Sequence, residues 1–235
     1  MLRQGTNSLM RLAIGGALIS LHFFLYEFRV FKVPNMFWGW VLAFFGTDFV
    51  FLWYHRAQYW VRFIWCAHVV HHSSEHMNLG TPLRQSPTEP FTQALFYWPL
   101  PLLGFHPLML AAAGAMATIY AFFTHTEVVK KLWAPLECWL VTPSHHRVHH
   151  GSNPEYVDRN YGNVFIVWDR VFGTFKPEVA LVRYELLTNI NTFIPLRIAF
   201  AGRVRFFKDF LRRGPFGCWG RSGSARRAVR RRYSI

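Results

Sequence analysis

The pattern of apolar and polar positions gives the chain three long apolar segments separated by polar stretches. Residues 9–31 and 37–54 are each apolar over a length that can cross a bilayer as one helix. Residues 91–124 are longer and almost uncharged, but LGFHP at 103–107 interrupts them, since glycine and proline break a helix. We predict two spanning helices followed by a hairpin of two short helices, about four membrane-embedded helices in all.

The polar stretches at 55–90 and 125–202 complete the predicted organisation. The fold class is an all-α integral membrane protein with a cytoplasmic, histidine-rich helical cap. We expect residues 1–54 to hold two transmembrane helices and residues 55–175 to form a catalytic region that includes the hairpin at 91–124. Residues 176–235 should be a peripheral segment with a basic, disordered tail. A cleaved signal peptide is the alternative for residues 9–31, but a small-residue cleavage site is missing.

Composition strengthens the membrane interpretation. Hydrophobic residues make up 52% of the 235 residues, aromatic residues 18% and charged residues only 16%. A soluble domain of this size is normally more highly charged and less aromatic. A lipid bilayer is therefore the expected surroundings of the chain.

The positive charge lies mainly at one end of the chain. The formal net charge is +14, and residues from Arg203 onward contribute 11 Lys/Arg against one acid, Asp209. A basic tail after apolar segments favours the anionic cytoplasmic leaflet, and no nucleic-acid motif accompanies it. Only Arg29 and Lys32 lie in the short loop on the opposite side. We therefore expect the histidine-rich side and the C-terminus to be cytoplasmic, and no nucleic-acid partner.

Two identical histidine patterns are the candidate chemistry. His68, His71 and His72 form one His-x-x-His-His cluster, and His146, His149 and His150 form the other. Residues three and four apart share a helix face, so each cluster should offer three imidazoles to a shared volume. His55 at the end of the second span and His125 at the end of the hairpin should lie at the same membrane face and the same depth as the two clusters. The sequence predicts that these eight histidines bind metal.

Eight candidate ligands suggest two metal ions, because a zinc site rarely uses more than four protein ligands. Imidazole alone does not choose among zinc, copper, iron and nickel. The three cysteines are far apart, which excludes a cysteine-based zinc site. His22 and His106 are expected to be packing residues, and His76 and His145 to be surface residues or residues that orient a ligand. Asp48, the only acid of the second span, should face the interior, either orienting a ligand imidazole or joining two helices.

The motifs resemble those of the fatty acid hydroxylase/sterol desaturase superfamily of membrane di-iron enzymes. The family pattern is H-x3-H followed by two H-x2-H-H boxes. The matching text lies between residues 48 and 175: WYHR at 53–56, WCAHVVHHSSE at 65–75, NL at 78–79, LRQS at 83–86, HTE at 125–127, TPSHHRVHHG at 142–151, NYG at 160–162 and WDRVFGTF at 168–175. Within the superfamily, it is most similar to the bacterial sterol-desaturase-like branch, which is similar to alkylglycerol monooxygenase.

The resemblance implies a membrane enzyme that uses two irons and O2 to hydroxylate, desaturate or oxidatively cleave a lipid. The substrate would be a fatty acyl, sterol or ether lipid that reaches the site from the bilayer. Electrons would come from an external donor, either a protein partner or a small reductant, because no nucleotide fingerprint or haem motif is present. The metal ligands implied are the same eight histidines, and Asn78 belongs to the matched motif text without a defined role.

One position departs from the family pattern. His55 opens the H-x3-H motif, but the residue four positions later is Tyr59. On a helix its oxygen can reach the same volume as His55, and phenolate binds ferric iron when a metal assists loss of the proton. The other interpretation is that Tyr59 fills space and leaves one iron short of a ligand. Two further hypotheses stay open: a zinc-dependent membrane hydrolase, and a non-catalytic family member.

Overall fold

The computed structural model of the protein describes residues 2–184, 200, 202–204 and 206–212, with side chains from residue 13 onward. Over these residues the chain is helical and contains no β-strand; one isolated antiparallel bridge joins Leu140 and Phe165. The helices are α1 (Leu2–Glu27), α2 (Phe37–Trp60), α3 (Arg62–His72), α4 (Glu89–Tyr97), α5 (Pro99–Leu102), α6 (Pro107–Thr124), α7 (Ala134–Trp139), α8 (Pro143–His150) and α9 (Val167–Val171). The predicted all-helical class is confirmed for the described residues.

Two helices, α2 and α6, are long and apolar enough to cross a membrane, and Ala13–Glu27 of α1 is a shorter apolar helix. Helix α2 continues past the predicted end of the span at residue 54 and stops where Val61 adopts an extended conformation. Its last two turns therefore carry His55 and Tyr59. Because Asp48, Leu52, His55 and Tyr59 follow one another at intervals of three or four residues, they share the buried face of α2.

The third apolar segment, residues 91–124, folds as a hairpin. Helices α4 and α5 run to Leu102, the chain turns at Gly104 with φ +98°, and α6 returns. Backbone hydrogen bonds tie this turn to the connection between α1 and α2, from Val30 N–H to Leu102 O at 2.7 Å and from Val33 N–H to Gly104 O at 3.2 Å. The turn and the α1–α2 connection therefore lie side by side at the end opposite the histidines.

A polar cap covers the other end of the helices. It consists of α3, α7, α8, α9 and the loops between them. Asp48 joins the cap to α2, because its carboxylate accepts hydrogen bonds from Val164 N–H at 2.9 Å, Phe165 N–H at 3.3 Å and Trp168 Nε1–H at 2.9 Å. The buried Arg147 of α8 donates to Thr126 O and Val129 O and pairs with Glu178. These buried charges are stabilised because each is paired or hydrogen-bonded.

The segment after Phe175, which was expected to be peripheral, contacts the cap and α3 in its described part. Besides the Glu178–Arg147 pair, Tyr156 donates from its hydroxyl to Ala180 O at 3.0 Å. Farther along, Asp209 pairs with Arg62 at the start of α3, and Phe206 packs on Cys66. The local composition did not indicate these contacts because their partners lie more than 20 residues away. The predicted disordered tail from residue 214 lies outside the described residues.

Gly104 provides a test of how the hairpin turn is held. A Cβ at this position would lie 2.2 Å from Phe31 O, and the positive φ strains any other L-residue. We expect Gly104→Ala to cost about 2 kcal/mol and to lower the midpoint of thermal unfolding in detergent by roughly 4–8 °C. The matched control is Gly114→Ala, where a Cβ meets nothing within 4 Å. Equal shifts in both variants would contradict this account.

Candidate metal centre

The structure brings the eight predicted histidines together as two buried groups of four. In each group the candidate ligand atoms all lie within 4.8 Å of one another. The first group is His55, His68, His72 and His149, and the second group is His71, His125, His146 and His150. Each set is of the size that would hold one metal ion.

Each histidine cluster is divided between the two groups, which differs from the expectation that its three imidazoles share one volume. On α3, His68 and His72 face the first group, whereas His71 faces the second. On α8 the same pattern recurs: His146 and His150 face the second group, and His149 the first. Residue i+4 lies about 40° to one side of residue i around the helix, and residue i+3 about 60° to the other. The His-x-x-His-His spacing therefore suits two adjacent sites.

The Nε2 atoms of each group point at one another. In the first group, His55 and His68 are 2.9 Å apart at Nε2, and His68 and His72 are 3.1 Å apart. In the second group, His125 lies 3.1 Å from His71 and 2.8 Å from His146, again between Nε2 atoms.

In three of the eight histidines the opposite ring nitrogen is held by a backbone carbonyl. Nδ1–H of His55 donates to Tyr161 O at 2.7 Å, that of His125 to Ala121 O at 2.7 Å and that of His149 to Arg159 O at 3.1 Å. Because a carbonyl only accepts, the proton of these neutral rings sits on Nδ1. Their Nε2 lone pairs then face the interior of each group, which is the arrangement of metal-binding histidines.

Burial lowers the pKa of six of these imidazoles and so favours their neutral form. Desolvation, followed by neighbouring imidazoles, lowers the pKa of His71, His72, His146 and His150 well below the ordinary value. Desolvation likewise lowers the pKa of His149 to about 3 and that of His125 to about 4. Neutral imidazole is the form that binds a metal ion.

The donor set fits two metal ions. Nitrogen ligands at right angles on a metal about 2.1 Å away lie about 3.0 Å apart, against about 3.4 Å for tetrahedral ligands. The observed Nε2 separations of 2.8–3.1 Å match the first value. In addition, Nε2 of His150 is buried within the second group without a hydrogen-bond partner among the described residues. A buried polar atom of this kind requires a partner, and a metal ion supplies one.

Tyr59 lies inside the first group. Its phenolic oxygen is 2.7 Å from Nε2 of His72 and 3.0 Å from Nε2 of His149. The helical spacing from His55 therefore brings this oxygen close to the histidine nitrogens, the arrangement that one of the two interpretations of Tyr59 requires.

Asp48 does not contact an imidazole, contrary to one of the two hypotheses for it. Its three partners belong to the 164–168 segment, as described above. The carbonyl that orients His55 comes instead from Tyr161. Asp169 fixes the loop that contains Tyr161, because its carboxylate accepts hydrogen bonds from Tyr161 N–H and Gly162 N–H, each at 2.7 Å. Sequence analysis did not single out Asp169, although it lies in the matched WDRVFGTF text.

The remaining predicted residues lie outside the two groups. His145 is buried and packs beside the Glu137 carboxylate, which also accepts from Thr142 and Ser144 at the start of α8. Asn78 is exposed and caps a turn by accepting from Gly80 N–H at 2.8 Å. His106 caps α6, and His76 is exposed. His22 lines the cavity described below.

A comparison with protein families decides the relationship. The family described as fatty acid hydroxylase matches residues 40–174, more than half of the chain. The chain belongs to the fatty acid hydroxylase family. The match contains both groups of histidines and Tyr59, and it confirms the resemblance predicted from the motifs.

Curated relatives place the chain nearer to particular members of the fatty acid hydroxylase family. Alkylglycerol monooxygenase of Danio rerio is 46% identical over 177 residues, covering 74% of this chain and 39% of its own length. The protein of the same name from Homo sapiens is 44% identical over 184 residues, covering 77% of this chain and 41% of its own. Ornithine lipid hydroxylase OlsE of Rhizobium tropici is 30% identical over 138 residues, 58% of this chain and 40% of its own.

The chain thus spans about two fifths of the length of the curated relatives it matches. No solved structure matches it.

Removal of one imidazole tests the division into two groups. We expect His149→Ala to lower bound metal from about two ions per chain to about one, because the first group alone loses a ligand. The measurement is metal content of the purified protein by mass spectrometry. His76→Ala removes an exposed histidine outside both groups and should retain both ions. Two ions in the His149→Ala protein would show that His149 is not a ligand.

Proposed function

We propose that this chain is a membrane-bound di-iron oxygenase that uses O2 to hydroxylate the hydrocarbon chain of a lipid. The observation that carries the proposal is a cavity of about 360 Å³ that contacts both histidine groups. Family membership supports lipid oxidation, and the names of the curated relatives favour an ether lipid such as an alkylglycerol over a sterol. Two bound irons would supply the activation of O2 that an unactivated C–H bond requires.

The cavity is shaped for a flexible apolar chain. Small residues of α6 line it at helical spacing, among them Gly114, Ala117 and Ala121, and Gly15 and Leu18 of α1 face them. Because Gly15 is exposed, the cavity reaches the surface between α1 and α6. An alkyl or acyl chain lying between these helices would extend from the bilayer to the histidines and exclude water from them.

Polar side chains gather where the cavity meets the histidines. Gln85, Glu89 and Gln93 line this end. Glu89 accepts from Gln58 Nε2–H at 3.2 Å and lies 3.6 Å from Nδ1 of His68. These groups would bind the oxygen-bearing part of the lipid. They would thereby position the adjacent carbon beside the Nε2 atoms of both groups.

The orientation follows from charge and from the ends of the helices. The histidines lie at the end of α2 that is opposite to Arg29 and Lys32, and the basic C-terminal residues follow the cap. We infer that the histidine side and the C-terminus face the cytoplasm and that the apolar surfaces of α1, α2 and α6 contact lipid.

Hydroxylation also requires electrons from outside the chain. The balanced reaction is RH + O2 + 2 electrons + 2 protons, giving ROH and water. A reduced protein partner or a small reductant would deliver the electrons to the cytoplasmic cap. The chain would contribute lipid binding, positioning and exclusion of water.

A metal and product assay tests this function. Purified protein should contain about two irons per chain, as expected for two groups of four ligands. With a reductant, it should convert an alkylglycerol to an oxidised product that carries one atom from labelled O2. The His149→Ala protein should form no product. Zinc in place of iron, with turnover that continues without O2, would instead support a metal-dependent hydrolase and overturn the proposal.

The width of the cavity provides a second test. A side chain at Gly114 would enter open space, so Gly114→Phe should fold and shorten the cavity. We expect kcat/KM for long-chain lipids to fall at least about tenfold while short-chain lipids are retained. Met116→Phe places the same side chain on an exposed face of α6 and serves as the control. Equal losses for long and short chains would contradict the role of the cavity.

A further inference from the structure

Tyr59 lies in the first histidine group, at the position where the family pattern has the second histidine of its H-x3-H motif. Its side chain is buried, with 2% of its surface exposed. The ring packs against Trp65 at 5.0 Å and Tyr161 at 5.1 Å between centroids, which holds the phenol in place. The last turn of α2 then directs the phenolic oxygen at the Nε2 atoms of His72 and His149, at 2.7 and 3.0 Å.

The contacts of this oxygen belong to a chain of polar atoms that hydrogen bonds alone do not satisfy. Four contacts run from His55 through His68, His72 and Tyr59 to His149. Both end atoms are acceptors, because His55 and His149 carry their protons on Nδ1. The three atoms between them carry at most one proton each, so at least one of the four contacts lacks a donated proton.

A cation within the group removes this conflict, because every lone pair can then face it. The phenolic oxygen lies 2.7 and 3.0 Å from two Nε2 atoms, and the Nε2 atoms themselves lie 2.8–3.1 Å apart. The oxygen therefore lies where a metal ligand atom would lie. A side chain that only filled space would need no oxygen at this point.

We propose that the phenolic oxygen of Tyr59 is a ligand of the iron in the first group. This inference rests on the proposed function, since it assumes that iron is the metal. Coordination forms an oxygen–iron bond and breaks the O–H bond of Tyr59, and the proton leaves to solvent. The first iron then has an anionic oxygen ligand besides its imidazoles, whereas the four predicted ligands of the second iron are all neutral imidazoles. The two irons are chemically different, and the first favours the ferric state more strongly.

Optical spectroscopy of the oxidised, iron-loaded protein tests the proposal without any activity assay. A phenolate bound to ferric iron gives a charge-transfer band in the visible region, and excitation in this band enhances the phenolate ring vibrations in resonance Raman spectra. We expect both signals in the wild type. Tyr59→Phe keeps the ring but removes the oxygen and should abolish both. Tyr59→His restores the family motif and should bind two irons without the band.

Tyr161→Phe is the matched control. Tyr161 is also buried, and its ring lies 5.9 Å from that of His55 and 6.1 Å from that of His149. Because its backbone carbonyl orients His55, the substitution leaves that contact in place, and the band should persist.

Two outcomes would overturn the proposal: two irons per chain with no such band in the wild type, or a band that survives in Tyr59→Phe. Both leave the di-iron oxygenase intact. A wild-type protein that binds no iron under conditions where it is folded would overturn the proposed function as well.

Discussion

Eight imidazoles are buried together in two groups, and their inward-facing nitrogens lie close to one another. This is the constraint on which the rest of the structure depends. An imidazole in such a place is stabilised when its outer nitrogen has a carbonyl partner and its inner nitrogen has a metal or a proton. Tyr161, Ala121 and Arg159 supply three of these carbonyls. Because α3 and α8 each serve both groups, the relative position of these two short helices determines both sites at once.

Buried charged side chains of the cap help to fix the relative position of α3 and α8. Arg147 ties α8 to the loop after His125 and to the segment at Glu178, and Asp169 fixes the loop that carries the carbonyl of Tyr161. Asp48 reaches from α2 to the 164–168 segment. Arg147, Asp169 and Asp48 have no hydrogen bond to a histidine of the two groups among the described contacts, but each fixes a segment that carries or adjoins such a histidine. The cap is therefore fixed by ionic and polar contacts, whereas the helices below it are held by apolar packing.

Much of the centre could be predicted from local spacing. The eight histidines, the apolar segments, the break at 103–107 and the reach of Tyr59 all follow from periodicity or from turn residues. The division of each cluster between two groups could not be predicted, because it depends on where the second helix lies. The target of Asp48 and the packing of Glu178 and Asp209 were missed for the same reason: each contact joins residues separated by 31 to 147 positions, including Arg147 with Glu178 and Arg62 with Asp209. Sequence patterns describe one element at a time, and these contacts join several.

The position of the cavity mouth between α1 and α6 has a kinetic consequence. Under the proposed function, a lipid that arrives through this opening would come from the plane of the membrane and not from the surrounding water. The concentration that governs its binding is then its mole fraction among the membrane lipids. Adding inert phospholipid would slow turnover, whereas diluting the same membranes with buffer would leave the rate per protein unchanged. Local lipid composition would thus regulate this protein without any effector site.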